Sequence, residues 1–312
     1  MPPEADRVPT LLVTGSEGQV GFELRRSLAP LGRVVAVSRR ECDLADAQAV
    51  QAMVVRVRPD VIVNAAAYTA VDRAESEREL AFAVNGTAPG VLAREAAALG
   101  SLLIHYSTDY VFDGTKAGFY RETDAVNPRS VYGQSKLAGE QAVADAGGAS
   151  LILRTSWVAG AYGRNFAKTM LRLARERDSL RVVADQWGAP TGAALIADIT
   201  AQIIGRHWFG GAPDHSGFPG GLYHLAAAGE TSWHGYAVEV LRQAERRGVA
   251  LRVAPDAVQA IPSSEYVLPA PRPANSRLDT ARLRTTFGLT LPDWRDTTGH
   301  LLDQILLSSH YA

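Results

Sequence analysis

Short apolar runs of strand length recur along the first half of the chain, at residues 11–14, 34–37, 61–64 and 102–106. Within each run the apolar residues do not alternate with polar ones. That pattern fits strands covered by helices on both faces, because a half-exposed hairpin would alternate. The segments between the runs, 20–28, 45–56 and 88–99, are rich in Ala, Leu, Glu, Gln and Arg, which are good helix formers. Repeated strand–helix–strand units predict an α/β fold, a doubly wound parallel sheet of Rossmann-like type.

A further run at 151–155 continues the pattern, which then loosens. Residues 166–177 place Phe166, Met170, Leu171 and Ala174 at helical spacing, and 194–204 and 234–243 read as further helices. Gly and Pro crowd residues 210–221, marking an exposed connection before a short strand at 222–225. The proline-rich stretch 255–275 is expected to run as an irregular lid. We therefore expect a dinucleotide-binding domain over 1–155, with returns near 194–225. A smaller, discontinuous C-terminal substrate domain over 156–312 completes the chain.

Length and charge narrow the classes. At 312 residues the chain exceeds the usual size of a single core, and 46% hydrophobic with 21% charged residues is an ordinary globular composition. Its 32 basic and 33 acidic side chains nearly cancel, so nothing global draws it to nucleic acid or to an anionic membrane, and neither is expected as a partner. Cys42 is the only cysteine, which excludes an internal disulfide, and it is given no function. The first residues carry no basic stretch leading into an apolar one, so a cytoplasmic address is expected.

The first strand runs directly into Gly15-Ser16-Glu17-Gly18-Gln19-Val20-Gly21, a GxxGxxG pattern opening a helix. Gly15 permits the tight turn, Gly18 lets backbone amides approach a pyrophosphate, and Gly21 lets helix and strand pack closely. The helix N-terminus adds unpaired N–H groups and partial positive charge. After the second strand, where an NAD enzyme usually has a carboxylate for the ribose 2′-hydroxyl, stand Ser38-Arg39-Arg40. Guanidinium groups there favour a 2′-phosphate, so NADPH is expected, with NADH as the alternative donor. Asp43 and Leu44 begin the loop expected to flank the adenine.

Tyr132 and Lys136 stand four apart in a helical segment and share a face. An ammonium beside a phenol favours the phenolate, which makes the phenol a better proton donor to a developing alkoxide. Ser107-Thr108-Asp109, directly after the 102–106 run, lies where strand ends line the ligand crevice of such a sheet. His105, His224 and His234 show no metal-ligand spacing and read as structural.

The GxxGxxG turn, Asn64-Ala65-Ala66-Ala67, Ser107-Thr108-Asp109-Tyr110-Val111-Phe112 and YxxxK together resemble the extended short-chain dehydrogenase/reductase family. The longer strings around His105, Tyr132, Arg154-Thr155-Ser156-Trp157-Val158 and Gly188-Ala189-Pro190-Thr191-Gly192 are similar to a nucleotide-sugar reductase branch of it, from about Leu11 to Leu302. That resemblance implies reduction of the C4 ketone of dTDP-4-dehydro-6-deoxy-L-mannose to dTDP-L-rhamnose, the last step of dTDP-rhamnose synthesis. It implies Tyr132 as catalytic acid, Lys136 as its pKa-lowering and ribose-fixing partner, and Thr108 as the group orienting the carbonyl. Gly18, Gln19, Val20, Ala67, Tyr68, Thr69 and Tyr106 match positions that line the cofactor in the family.

For the dTDP-sugar the resemblance implies Asp109 and Trp157 at the sugar, the indole face suiting its apolar side. Gln186 is implied at the sugar or nucleotide, and Arg277 near the diphosphate, with a structural ion pair as the other reading of Arg277. Some family members join as dimers through a magnesium ion held by glutamates, one of them on the helix after GAPTG. Ala194 stands there, and Glu23 alone reads as a surface residue. A monomer or homodimer without a magnesium bridge is therefore expected, with no metal site. Another nucleotide-sugar reductase or epimerase remains an alternative. So does a non-catalytic regulatory subunit like the methionine adenosyltransferase beta subunit.

Overall fold

Six strands, Thr10–Thr14 (β1), Arg33–Val37 (β2), Val61–Asn64 (β3), Leu102–Thr108 (β4), Ser150–Thr155 (β5) and Gly221–His224 (β6), form one sheet in the order β6-β5-β4-β3-β1-β2. The computed structural model describes residues 7–308 apart from Pro213. β1 pairs in parallel with both β2 and β3, and β3 with β4. Strand order reverses about β1, so the crevice beyond the carboxyl ends of β1 and β3 is where such a sheet takes its ligand. The fold is a doubly wound, Rossmann-like α/β architecture, as the unalternating runs predict.

Helices Gln19–Ser27 (α1), Ala47–Val57 (α2), Ala88–Leu99 (α3) and Val131–Asp145 (α4) follow the first four strands in turn. Leu12, Ile62 and Leu103 are register partners on β1, β3 and β4, and they share one core with Val54 of α2, Leu92 of α3 and Val143 of α4. α2 starts where Asp46 accepts hydrogen bonds from the amides of Gln48 and Ala49. Arg154 of β5 donates from Nε and Nη2 to the two oxygens of Glu140 on α4, at 2.8 and 2.6 Å, a bidentate pair closed off from solvent.

The chain divides into two units. The first takes the described residues up to Thr108 with Val131–Arg154 and Ala197–Tyr223; the second takes Asp109–Ser130, Thr155–Ile196 and the described residues from His224. In the second, helices Phe166–Glu176 (α5) and Trp233–Arg246 (α7) pack with Trp294–Ser308 (α9) around Tyr236, Val240, Leu241, Trp294 and Leu302. Ala193–Ile203 (α6) and Ala281–Phe287 (α8) are further helices, and short helical turns at Val71–Ala74 and Arg78–Phe82 precede α3. No helix among the described residues is long and apolar enough to cross a membrane.

Three readings of the sequence are corrected here. Ser107 and Thr108 are the last residues of β4 itself, because the strand runs two residues beyond its apolar stretch, and Asp109 begins a short 3-10 turn. The 255–275 stretch is not wholly irregular: Gln259–Ile261 pairs in parallel with Arg181–Val183, drawn in by burial of Val258 and Ile261 between the prolines. Glu23 is buried rather than on the surface, with Arg26 3.6 Å away.

Candidate active site

Gly15 holds φ +69°, and a Cβ there would stand 2.7 Å from the Ala66 backbone, so a side chain is excluded on both counts. A Cβ on Gly21 would fall 2.0 Å from the Gly15 carbonyl, which fixes the close packing of α1 on its own turn. Gly18 differs: its Cβ would meet only the Gly15 carbonyl, at 3.2 Å. Internal packing therefore demands little of Gly18, and the exposed side of the turn is what its missing side chain keeps open. Gly18 also precedes the first turn of α1, Gln19-Val20-Gly21, in extended conformation and without a side-chain cap. A backbone cradle at a helix N-terminus suits a diphosphate, so the residues present fit a dinucleotide.

At the end of β2, Ser38 donates its amide to the Glu41 carboxylate at 2.7 Å, and that contact holds the Glu41 acid below its usual range. Arg39 is tied to Asp43 at 3.2 Å, and Arg40 is exposed beside it. Leu44 and Cys42 turn into the core, so Leu44 has only its backbone to offer an adenine; burial pushes the Cys42 thiol up. Glu41, one residue beyond the arginine pair, is a partner of Ser38 that sequence reading missed.

The segment after β3 is held by a residue equally unforeseen. Asn85 is buried in a π-turn, Ala83–Thr87, that interrupts the helix leading into α3. Its Oδ1 accepts from the Tyr68 amide at 2.8 Å, while its Nδ2 donates to the Tyr68 carbonyl and to Ser135 Oγ, both at 3.0 Å. One side chain thus ties Ala67-Tyr68-Thr69 to the first turns of α4. π-turns inside helices commonly mark functional positions. The apolar pattern gave no hint of this one.

On α4, Lys136 is 2% exposed, and its Nζ donates to the Tyr106 carbonyl at 2.6 Å and lies 3.4 Å from His105 Nε2. Burial lowers its pKa to about 8, against the opposing pull of Glu140. Tyr132, one turn earlier, is half-buried and packs with Tyr68 beside Ala74, Ala81 and Val131. Ser135 donates to the Tyr132 carbonyl at 2.8 Å, steadying the turn between phenol and ammonium. Thr108 ends β4 in the same unit and is buried. Tyr106 serves the site through its carbonyl, since its ring is buried and its hydroxyl pairs with Thr200 at 2.7 Å.

The second unit carries the remaining residues. Asp109 is buried at the start of its 3-10 turn, and Gln186 is half-buried. Trp157 has φ +49°, rare for a bulky residue, and its ring stacks on Trp233 with centroids 3.6 Å apart. A Cβ on Gly188 would sit 2.6 Å from Cε2 of the indole. Trp233 thus covers one face of the indole, and the Gly188 backbone lies close against its ring-fusion atoms. Arg277 donates from Nη1 to Glu230 at 2.9 Å and from Nε to Asn275 at 2.8 Å, so its guanidinium is held in a set orientation.

The family model described as RmlD substrate binding domain matches residues 9–307. A dTDP-4-dehydrorhamnose reductase from Burkholderia thailandensis is 50% identical over 95% of this chain and 99% of its own. One from Salmonella typhimurium is 47% identical over 96% and 99%. A crystal structure of dTDP-4-dehydrorhamnose reductase from Bacillus anthracis in complex with NADP superposes with TM-score 0.85 at 32% identity, over 96% of this chain and 100% of that one.

The glycine geometry separates two substitutions. Gly18→Ala is expected to lower the thermal midpoint far less than Gly21→Ala while weakening NADPH binding about tenfold or more, since beyond one 3.2 Å approach to the Gly15 carbonyl the added methyl enters the open side of the turn. Gly21→Ala is expected to cost on the order of 1–3 kcal/mol or more of stability, because a backbone oxygen must move. Thermal unfolding and NADPH fluorescence titration of both variants check this.

Proposed function

The chain belongs to the RmlD substrate binding domain family, and from that premise we propose which of its residues carry the reaction. It is an NADPH-dependent oxidoreductase that reduces the C4 ketone of dTDP-4-dehydro-L-rhamnose, giving dTDP-L-rhamnose in the last step of that nucleotide sugar's synthesis. The observation that carries the residue assignments is a buried lysine one helical turn from Tyr132, bonded to the β4 backbone just before Thr108.

NADPH, when bound, supplies the hydride that adds to C4. The Gly15–Gly21 turn and the α1 amides hold its diphosphate, with Arg39, Arg40 and Ser38 toward the 2′-phosphate and Ala67-Tyr68-Thr69 along its length. Asp43 and the Leu44 backbone flank the adenine. Tyr132 gives its phenolic proton to the C4 oxygen as that oxygen gains negative charge. A phenol ordinarily titrates near 10, so it needs a cation to hold the phenolate left behind. Lys136 is that cation, and its remaining N–H bonds serve the nicotinamide ribose. Thr108 orients the carbonyl by donating a hydrogen bond.

The first unit carries the cofactor and the second the dTDP-sugar, with Asp109, Trp157 and Gln186 toward the sugar and Arg277 toward the diphosphate. Guanidinium geometry already fixed by Asn275 and Glu230 favours a charged, planar contact. The reaction belongs in the cytoplasm. The protein is a monomer or homodimer without a magnesium bridge. Ala194, half-buried in the first turn of α6, has no oxygen to give a hard cation, and Glu23 is buried beside Arg26. An epimerase or regulatory role is not favoured, because relatives at 42–50% identity are named as the reductase and Thr108, Tyr132 and Lys136 are all in place.

Tyr132→Phe is expected to lower kcat by roughly 10²- to 10⁴-fold with NADPH affinity nearly unchanged. NADPH oxidation with dTDP-4-dehydro-L-rhamnose measures this, and wild-type turnover would remove Tyr132 from the mechanism. Because Lys136 acts protonated and titrates at about 8, kcat is expected to fall as pH rises through that value. A profile flat to pH 10 would contradict the assignment. Sedimentation velocity with and without magnesium is expected to give one unchanged species, and a magnesium-dependent shift would refute the absence of a bridge.

A further inference from the structure

Two residues beyond the apolar register row Leu12–Ile62–Leu103, on the same sheet face, lies a second row of register partners: Thr14, Asn64 and His105. All three are polar, and none is more than 1% exposed. Thr14 Oγ1 donates to Asn64 Oδ1 at 2.6 Å, and Asn64 Nδ2 lies 3.1 Å from His105 Nδ1; His105 Nε2 then faces Lys136 Nζ at 3.4 Å. Three buried polar side chains at the centre of a parallel sheet, where apolar residues would pack without loss, need a reason. The row ends at the ammonium.

We propose that His105, backed by Asn64 and Thr14, is a positioning residue: its imidazole accepts a hydrogen bond from the Lys136 ammonium and aims that group. This rests on the reading of Lys136 as the cation beside Tyr132. The chemistry of the row fixes the details. An ammonium has only N–H to offer, so Nε2 must carry the lone pair and Nδ1 the proton. Asn64 must then turn its carboxamide over from that orientation, presenting its oxygen to Nδ1 and its amino group to Thr14. Complete burial, and after it the charge of Lys136, hold the imidazole well below its usual pKa, so it stays neutral as an acceptor must. The other groups that bear on Lys136 are the Tyr106 carbonyl on β4 and Glu140 on its own helix, the latter engaged by Arg154. The Tyr106 carbonyl takes one N–H from the sheet side, and the imidazole is the acceptor for a second.

Two measurements test the proposal. In the wild-type enzyme labelled with ¹⁵N-histidine, His105 is expected to show a protonated Nδ1 and a bare Nε2 from pH 6 to about 7. A protonated Nε2, or an imidazolium, would overturn the proposal whether or not any variant folds. Turnover of His105→Phe is expected to drop about tenfold to a hundredfold with the KM for the dTDP-sugar little changed, and its alkaline limb to move to lower pH. His105→Gln, which restores an acceptor near Nε2, is expected to recover most of kcat and the original limb. A folded His105→Phe with wild-type kcat and limb would make the row purely structural. Lys136→Met separates the two readings: full activity in that variant would sink the role of Lys136 itself, whereas its loss combined with an indifferent His105 would sink only this proposal.

Discussion

A positive charge removed from water organises the first unit. The ammonium of Lys136 is almost wholly enclosed, and an enclosed charge is tolerable only where acceptors surround it. β4 supplies the Tyr106 carbonyl because the strand continues past its apolar stretch, and α4 brings the lysine over that carbonyl. Glu140 lies one further turn along α4, and its own burial is made tolerable by a bidentate arginine on β5. Strand length, helix placement and the Glu140–Arg154 pair therefore answer to one requirement.

The same economy governs the loops. Asn85 serves as donor and acceptor at once, so the segment after β3 and the start of α4 cannot shift independently. The π-turn gives that carboxamide its place: one widened turn lets Asn85 face the loop while the flanking helix keeps its apolar side on the core. In the second unit, Trp157 is confined by Trp233 and by the absence of a side chain at Gly188, and its unusual backbone conformation is held by that confinement. Arg277 is likewise aimed by neighbours before any ligand arrives.

Much of this was legible in the sequence because it rests on period and spacing. The five early runs became β1 to β5, and the helices between them fell within a residue or two of their expected bounds. GxxGxxG and YxxxK could be read because each needs only local geometry. What escaped depends on contacts between distant segments. Asn85 looks like one polar residue in an alanine-rich helix, and nothing local reveals that Tyr68 and Ser135 meet it. His105 reads as a structural histidine until strand register sets it beside Asn64 and opposite Lys136. The stack of Trp157 on Trp233 escaped for the same reason, since the two lie 76 residues apart in the sequence and meet only in the fold.

Enclosing Lys136 also couples proton binding to folding. Its pKa of about 8 in the folded chain lies below the 10.5 of an exposed lysine, so across that interval the unfolded chain binds the additional proton. The penalty for holding the charge is full below the folded value and fades as the solution becomes more alkaline. Alkali therefore firms this part of the molecule while silencing the group it encloses: the conditions under which the native state is best tolerated here are not those under which it turns over.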